Sequence, residues 1–272
     1  MFTPLFTLVL LMATQTQTNA IDVVQGSPMF LQLDAQDCVG DLTIFDRTYR
    51  CTEDYRLIVG VHMSETPGRY YLTRRTGPGM GPVVIIRTVM VRGRNFPFAV
   101  FHPPPVPPQT NRPQERADIG HAQQLGESKY FLQHLKPNFS LTFSAKDITS
   151  KFGERRMWRS KKGVMEQWDQ HNGIDFRASA GTPVSAIGDG VVTMAQTLSL
   201  ESGLVIIYHG ESVYSYYMHL GKINVHVGQS VSVGEDIGLV GGGGFSTGAH
   251  FHLGVKINGA VVDPFMFVEL MK

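Results

Sequence analysis

The sequence predicts a mainly β chain in three parts: a small N-terminal β-sandwich-like domain, a proline-rich and helical linker, and a larger C-terminal antiparallel β domain with an open groove. Three observations carry this. The 272 residues include 29 glycines, which favours many tight turns and short strands over long helices. Six of the 15 prolines fall within 103–113, a stiff extended joint. The apolar residues on both sides of that joint come in short runs bounded by turn residues. With 42% hydrophobic and 17% charged residues, the chain has the composition of a folded protein.

In chain order, residues 1–20 read as an address. The apolar stretch Leu5–Ala13 is too short to span a bilayer and suits the core of a signal peptide, with Thr18 and Ala20 as the small residues before a cut. A buried N-terminal strand is the competing reading, because no Lys or Arg precedes the apolar run. No other segment is long enough to cross a membrane, so no stable span is expected after cleavage. Residues 21–100 form the small β domain, with strands at Thr43–Phe45, Tyr70–Thr73 and Val83–Val91 separated by turns such as Pro67-Gly68. Cys38 and Cys51 lie in this domain. In an oxidising compartment a disulfide is the simplest reading, free thiols the alternative. Residues 101–139 hold the prolines and a helix over Gln114–Leu135, weakened by Gly120 and Gly126 and ended by Pro137. From 140 to 272 the pattern returns to strand and turn.

Lys+Arg is 24 and Asp+Glu 23, so the basic excess of a nucleic-acid binder is missing. Chemistry concentrates instead in histidine. Six of the ten histidines lie between 171 and 252, in three clusters: His171-Asn172-Gly173-Ile174-Asp175, Tyr217-Met218-His219-Leu220 and Ser246–His252. On a strand, His250 and His252 point to one face and Phe251 to the other. Two imidazoles and one carboxylate, from His171, His252 and Asp175, make a zinc site with an open position for water, and zinc lowers that water's pKa to about 7. A nearby neutral histidine takes the water's proton, and another stabilises the oxyanion.

Several ordered blocks between Ile148 and Pro264 together resemble the lysostaphin-type (LytM-like) zinc metallopeptidases that cut peptidoglycan. Phe152-Gly153-Glu154-Arg155 is similar to the F-G-x-R opening and His171–Phe176 to H-x-G-x-D-F. Tyr217–Leu220 is similar to Y-x-H-L, Ser246–His252 to S-T-G-x-H-x-H, and Asp263-Pro264 to the closing D-P. The resemblance implies one Zn(II) per catalytic domain, bound by His171, Asp175 and His252. It implies His219 and His250 as catalytic histidines, with His250 as general base and His219 at the oxyanion, or the reverse. It also implies Arg155, Gly243 and Gly244 along the substrate groove. Tyr217 is either a substrate contact or a packed strand aromatic. The expected substrates are peptidoglycan stem peptides and cross-bridges, reached by export to the periplasm or cell envelope. The oligomeric state stays open. The alternative is a catalytically silent or latent activator of wall hydrolases with the same fold. Gly243 and Ala249 depart from the Thr or Ser and the Pro common in relatives, which affects loop stiffness rather than ligation.

Two further features carry weaker signals. Lys151–Lys162 holds six basic residues against Glu154, either steering an anionic wall peptide or merely solvated. Gly244-Phe245-Ser246-Thr247-Gly248 fits the serine-hydrolase elbow G-x-S-x-G, but a strand follows where a helix is required and no histidine lies beyond His252.

Overall fold

The structure is a computed structural model that describes residues 20–76, 81–102, 112–130, 134–159, 166–243 and 248–272. The signal-peptide reading of 1–20 therefore falls almost wholly outside the described residues, as do Gly244 and most of the proline-rich joint.

The N-terminal unit contains β1 (Ile21–Val24), β2 (Pro28–Gln32), β3 (Leu42–Ile44), β4 (Arg47–Tyr49), β5 (Arg56–Gly60), β6 (Gly68–Arg75) and β7 (Val83–Arg92). Five of these form a sheet ordered β1-β7-β6-β3-β4, and β2 pairs with β5. The two layers enclose a core that includes Leu42, Val59, Leu72 and Val89. Alternation explains it: in β3, Leu42 and Ile44 are buried while Thr43 is exposed. Cys38 and Cys51 are joined by a disulfide with Cα atoms 5.6 Å apart. Closing a loop of this length stabilises by about 3 kcal/mol.

Phe98–Phe101 forms β8, at the rim of the expected N-terminal domain. It pairs in parallel with a strand of the C-terminal unit. Next comes α1 (Arg112–Lys129). The helix stops short of the expected Leu135, and Leu135 instead enters the C-terminal core with Phe139. Gly126, read as a weakness, has a packing role: a Cβ there would stand 2.6 Å from the Tyr214 hydroxyl and 3.0 Å from the Tyr208 ring. Only glycine lets the helix settle this close to the sheet.

The C-terminal unit holds β9 (Ile148–Ser150), β10 (Arg155–Arg159), β11 (Glu166–Gln170), β12 (Ile174–Arg177), β13 (Pro183–Ser185), β14 (Gly190–Leu198), β15 (Ser202–Gly210), β16 (Val213–Ile223), β17 (Ser230–Val231), β18 (Asp236–Val240), β19 (His250–Ile257) and β20 (Ala260–Val262), and closes with α2 (Pro264–Leu270). The main sheet runs β17-β14-β15-β16-β19-β12-β9. Asp263 caps α2 by accepting from the Phe265 N–H at 3.0 Å, with Pro264 in the first turn. Its other oxygen holds Arg94 at 2.7 Å, so the D-P block pins the domain junction.

Both faces of the sheet are covered. Val213, Tyr217 and Leu220 point into the main core. Tyr214 and Tyr216, from alternate positions of β16, point the other way and lie under α1 with Leu204, Ile206 and Ala122. Ile58, Met63 and Phe96 of the N-terminal unit belong to the same core as Phe176 and Leu253, so the two units share an interior. No helix among the described residues is long and apolar enough to cross a membrane.

Candidate metal centre

Cross-strand register builds the site. Asp175 of β12 lies directly opposite His252 of β19, and His252 lies opposite Met218 of β16. His171 precedes β12 by one short turn and tilts back over the same face. The ligating atoms close a triangle: His171 Nε2 to Asp175 Oδ1 is 3.1 Å, His171 Nε2 to His252 Nδ1 is 3.0 Å, and His252 Nδ1 to Asp175 Oδ1 is 2.7 Å. All three residues are buried.

The chemistry of this donor set fits a metal. Nδ1 of His171 donates to the Lys151 carbonyl at 2.9 Å, which leaves the Nε2 lone pair aimed at the triangle. Two imidazole nitrogens and one carboxylate oxygen suit zinc, with a position left for water. Burial alone would raise the Asp175 carboxyl; the close polar contacts with His171 and His252 outweigh it and hold the group far below the carboxylate range. Burial also lowers the pKa of His252, keeping the neutral form a ligand requires.

Gly173, the glycine of H-x-G-x-D, has a steric reason. A Cβ there would come within 2.3 Å of the Leu253 carbonyl and 2.5 Å of His252 Nε2. Phe251 faces away from its two flanking histidines and stacks on Tyr217 and Phe176, as strand alternation requires.

His219 reaches the site through a fault in the sheet. The β15–β16 register pairs Gly203 with Leu220 and Val205 with Tyr217, so β16 carries one extra residue. At this bulge His219 has φ +64°, a left-handed conformation costly for a residue with a Cβ. The bulge brings His219 onto the metal face although Tyr217 and Leu220 remain in the core. Its N–H donates to Glu201 O and its carbonyl accepts from Gly241 N, both at 2.8 Å. Gly241 is obligatory there: a Cβ would stand 2.6 Å from Gly221 N. The His219 ring lies 4.5 Å from that of His250 and 6.3 Å from that of His252, centre to centre. Burial, then the neighbouring His250 and His252, lower its pKa to about 3. His250 Nε2 stands 3.8 Å from Asp175 Oδ1, and its Nδ1 meets the Gly248 carbonyl at 2.9 Å.

The substrate contacts expected from sequence fare differently. Tyr217 is a correction: it is 0% exposed, and its hydroxyl accepts from Ile187 N–H and bonds Ser215 Oγ, each at 2.9 Å. Odd positions of β16 before the bulge face the core, so Tyr217 is a packed aromatic out of a substrate's reach. Arg155 is exposed, whereas its neighbour Arg156 turns to the cluster and binds Asp175 Oδ2 at 2.8 Å and Ser150 Oγ at 2.7 Å. Residue order alone does not single out Arg156, because adjacent strand residues face opposite ways and both are arginine. Gly243 meets the His219 ring through its backbone; Gly244 lies outside the described residues. His209 is structural, bonded through Nδ1 to Asp189 O and through Nε2 to Ser215 Oγ, both at 2.7 Å.

Residues 169–264 match the sequence model of Peptidase family M23. The chain is similar to the Peptidoglycan DD-endopeptidase ShyA of Vibrio cholerae, 41% identical over 116 residues, covering 43% of this chain and 26% of that protein. It is also similar to the DD-carboxypeptidase/endopeptidase Mpg of Neisseria meningitidis serogroup B, 39% identical over 117 residues, again 43% of this chain and 26% of that protein. The chain thus spans about a quarter of the length of these curated relatives. A solved structure from Pseudomonas aeruginosa, described provisionally as an M23 peptidase, aligns over 90% of this chain and 94% of its own with a TM-score of 0.55 and 23% identity; it supports the fold. Residues 169–264 of the C-terminal unit thus carry the sequence pattern of an M23 peptidase domain.

Proposed function

We propose that this M23 domain is a zinc-dependent endopeptidase that hydrolyses peptide cross-links of peptidoglycan outside the cytoplasm. The observation that carries the reading is the convergence of His171 Nε2, Asp175 Oδ1 and His252 Nδ1 within 3.1 Å of one another, with His219 and His250 alongside. His171, Asp175 and His252 would hold the ion. When bound, zinc supplies a water acidified toward neutrality and polarises the scissile carbonyl.

The remaining chemistry falls to the chain. His250, at the half-exposed start of β19, accepts the proton of the attacking water and passes it to the leaving amine as the carbon–nitrogen bond breaks. His219, kept neutral by burial, offers an N–H to the carbonyl oxygen as it gains charge. Arg156 holds the far oxygen of Asp175 and fixes the carboxylate's rotation. Relatives named peptidoglycan DD-endopeptidases support the substrate class. The Cys38–Cys51 bridge supports an oxidising compartment such as the periplasm. Mass spectrometry of purified cell wall after digestion tests the reading: new peptide termini that vanish with chelator are expected, and an unchanged wall with zinc bound overturns it.

One observation favours a latent form of the same enzyme. Helix α1 lies on the metal face of the sheet, tied down by Glu115 to Ser199 and by Gln123 to Tyr216. Releasing it with Glu115→Ala and Gln123→Ala together raises the rate of a latent enzyme. It leaves an open one unchanged or slower.

A further inference from the structure

Next to the metal cluster is a cavity of about 120 Å³, lined by Ile119, Glu201, Tyr216, His252, Gly254 and Lys256 among others. A water's share of liquid volume is ~30 Å³, so this space suits a group of three or four heavy atoms. His252, Gly254 and Lys256 are alternate residues of β19 and share a face.

Neither of two donors that line this cavity has an acceptor in contact, although the Glu201 carboxylate lines it too. Lys256 makes no ion pair among the described residues, Glu201 of the same cavity included, and its ammonium lies 4.9 Å from the centre of the Tyr216 ring. The ring it lies against belongs to Tyr216, opposite Gly254 in the ladder and so two residues, about 7 Å, along the strand from His252. The second donor is His252 Nε2, buried and without a hydrogen-bond partner. When a metal takes the Nδ1 that faces Asp175 and His171, the proton of the neutral ring lies on Nε2. A ligating imidazole ordinarily gives that N–H to a carboxylate or carbonyl. Gly254 adds no bulk to this wall: a Cβ there would make ordinary contacts, 3.7 Å from His252 Nε2 and 3.4 Å from the Asn172 carbonyl, and a branched side chain would occupy the space. Burial also lowers the Lys256 pKa, a cost that an anionic partner would offset.

We propose that this cavity is a subsite for a carboxylate of the substrate, held between the Lys256 ammonium and the His252 Nε2–H. The inference rests on the peptide-hydrolase reading above. An extended peptide advances about 3.5 Å per residue, so the carboxylate sits within two residues of the cleaved bond. The α-carboxylate of a terminal D-alanine, or that of the residue on the leaving side of a cross-link, meets this requirement.

The probes are diacetyl-L-lysyl-D-alanyl-D-alanine as free acid and as C-terminal amide, titrated calorimetrically into the zinc-loaded protein. Wild type is expected to bind the acid at least tenfold more tightly than the amide. Lys256→Met and Gly254→Val remove that preference with metal content unchanged, and Lys256→Arg keeps it. Equal affinities in wild type, no binding of either peptide, or an unchanged preference in Lys256→Met overturns the subsite. Sodium acetate binding as tightly as the acid peptide overturns the substrate assignment in favour of a free carboxylate. The hydrolase reading is scored separately: acid bound but never cleaved at any peptide bond fails that reading and spares the subsite, while acid and amide bound and cleaved equally fail the subsite and spare the hydrolase.

Discussion

His209 and His219 are both buried histidines on strands of one sheet, and burial depresses both, to about 4 and about 3. Around His209 the polar chemistry is complete: both ring nitrogens are bonded, and Ser215 links the ring to Tyr217. Around His219 it is not. Its Nδ1 is buried without a partner, its backbone is left-handed, and a second imidazole stands within ring contact. A satisfied buried histidine cements a fold. A strained one with an unused nitrogen holds chemical capacity in reserve.

The strongest way to sharpen this contrast is to remove the ion's anchor. Asp175→Ala or His252→Ala should leave less than about a tenth of the metal by elemental analysis and cut hydrolysis by more than about 10³-fold. His219→Ala comes next: metal content stays, and turnover falls by about 10²–10³-fold, the range for losing a positioned proton-transfer or oxyanion group. Full activity in that variant would erase the distinction from His209. Arg156→Gln should weaken metal affinity by about 10–100-fold in a competition with a chelator, through loss of the Asp175 contact.

The smallest effect on turnover is expected at His209, where stability carries the signal. Its folded pKa of about 4 is below the unfolded value near 6.5. Its contribution is therefore complete above pH 6.5 and lost as pH falls toward 4, because the unfolded chain binds the extra proton. Urea unfolding at pH 7 and pH 5 should show a decline that His209→Asn makes shallower, with activity per folded molecule nearly unchanged. An equally steep decline in the variant would count against a buried neutral His209.

The same contrast separates what the residue order makes legible from what it does not. The triangle of His171, Asp175 and His252 is readable because a short turn and a strand period of two convert fixed spacings into shared faces. The inward Phe251 follows from the same period. Tyr217 and Arg155 resist that logic for want of an origin: alternation says which residues share a face, and only the partner strands say which face meets the metal. Arg156 is therefore invisible until β10 is placed, and Tyr217 until β16 is. The bulge at His219 breaks the period itself, so counting from Tyr217 misplaces everything after it. The end of α1 depends on how Tyr208 and Tyr214 receive the helix, which its own composition does not encode.

The bulge has one more consequence. A left-handed histidine is disfavoured relative to glycine by about 1 kcal/mol or more, and nothing in the core asks for an imidazole at residue 219. Selection for folding alone would favour glycine or asparagine at this position, so a histidine standing here points to a use beyond folding.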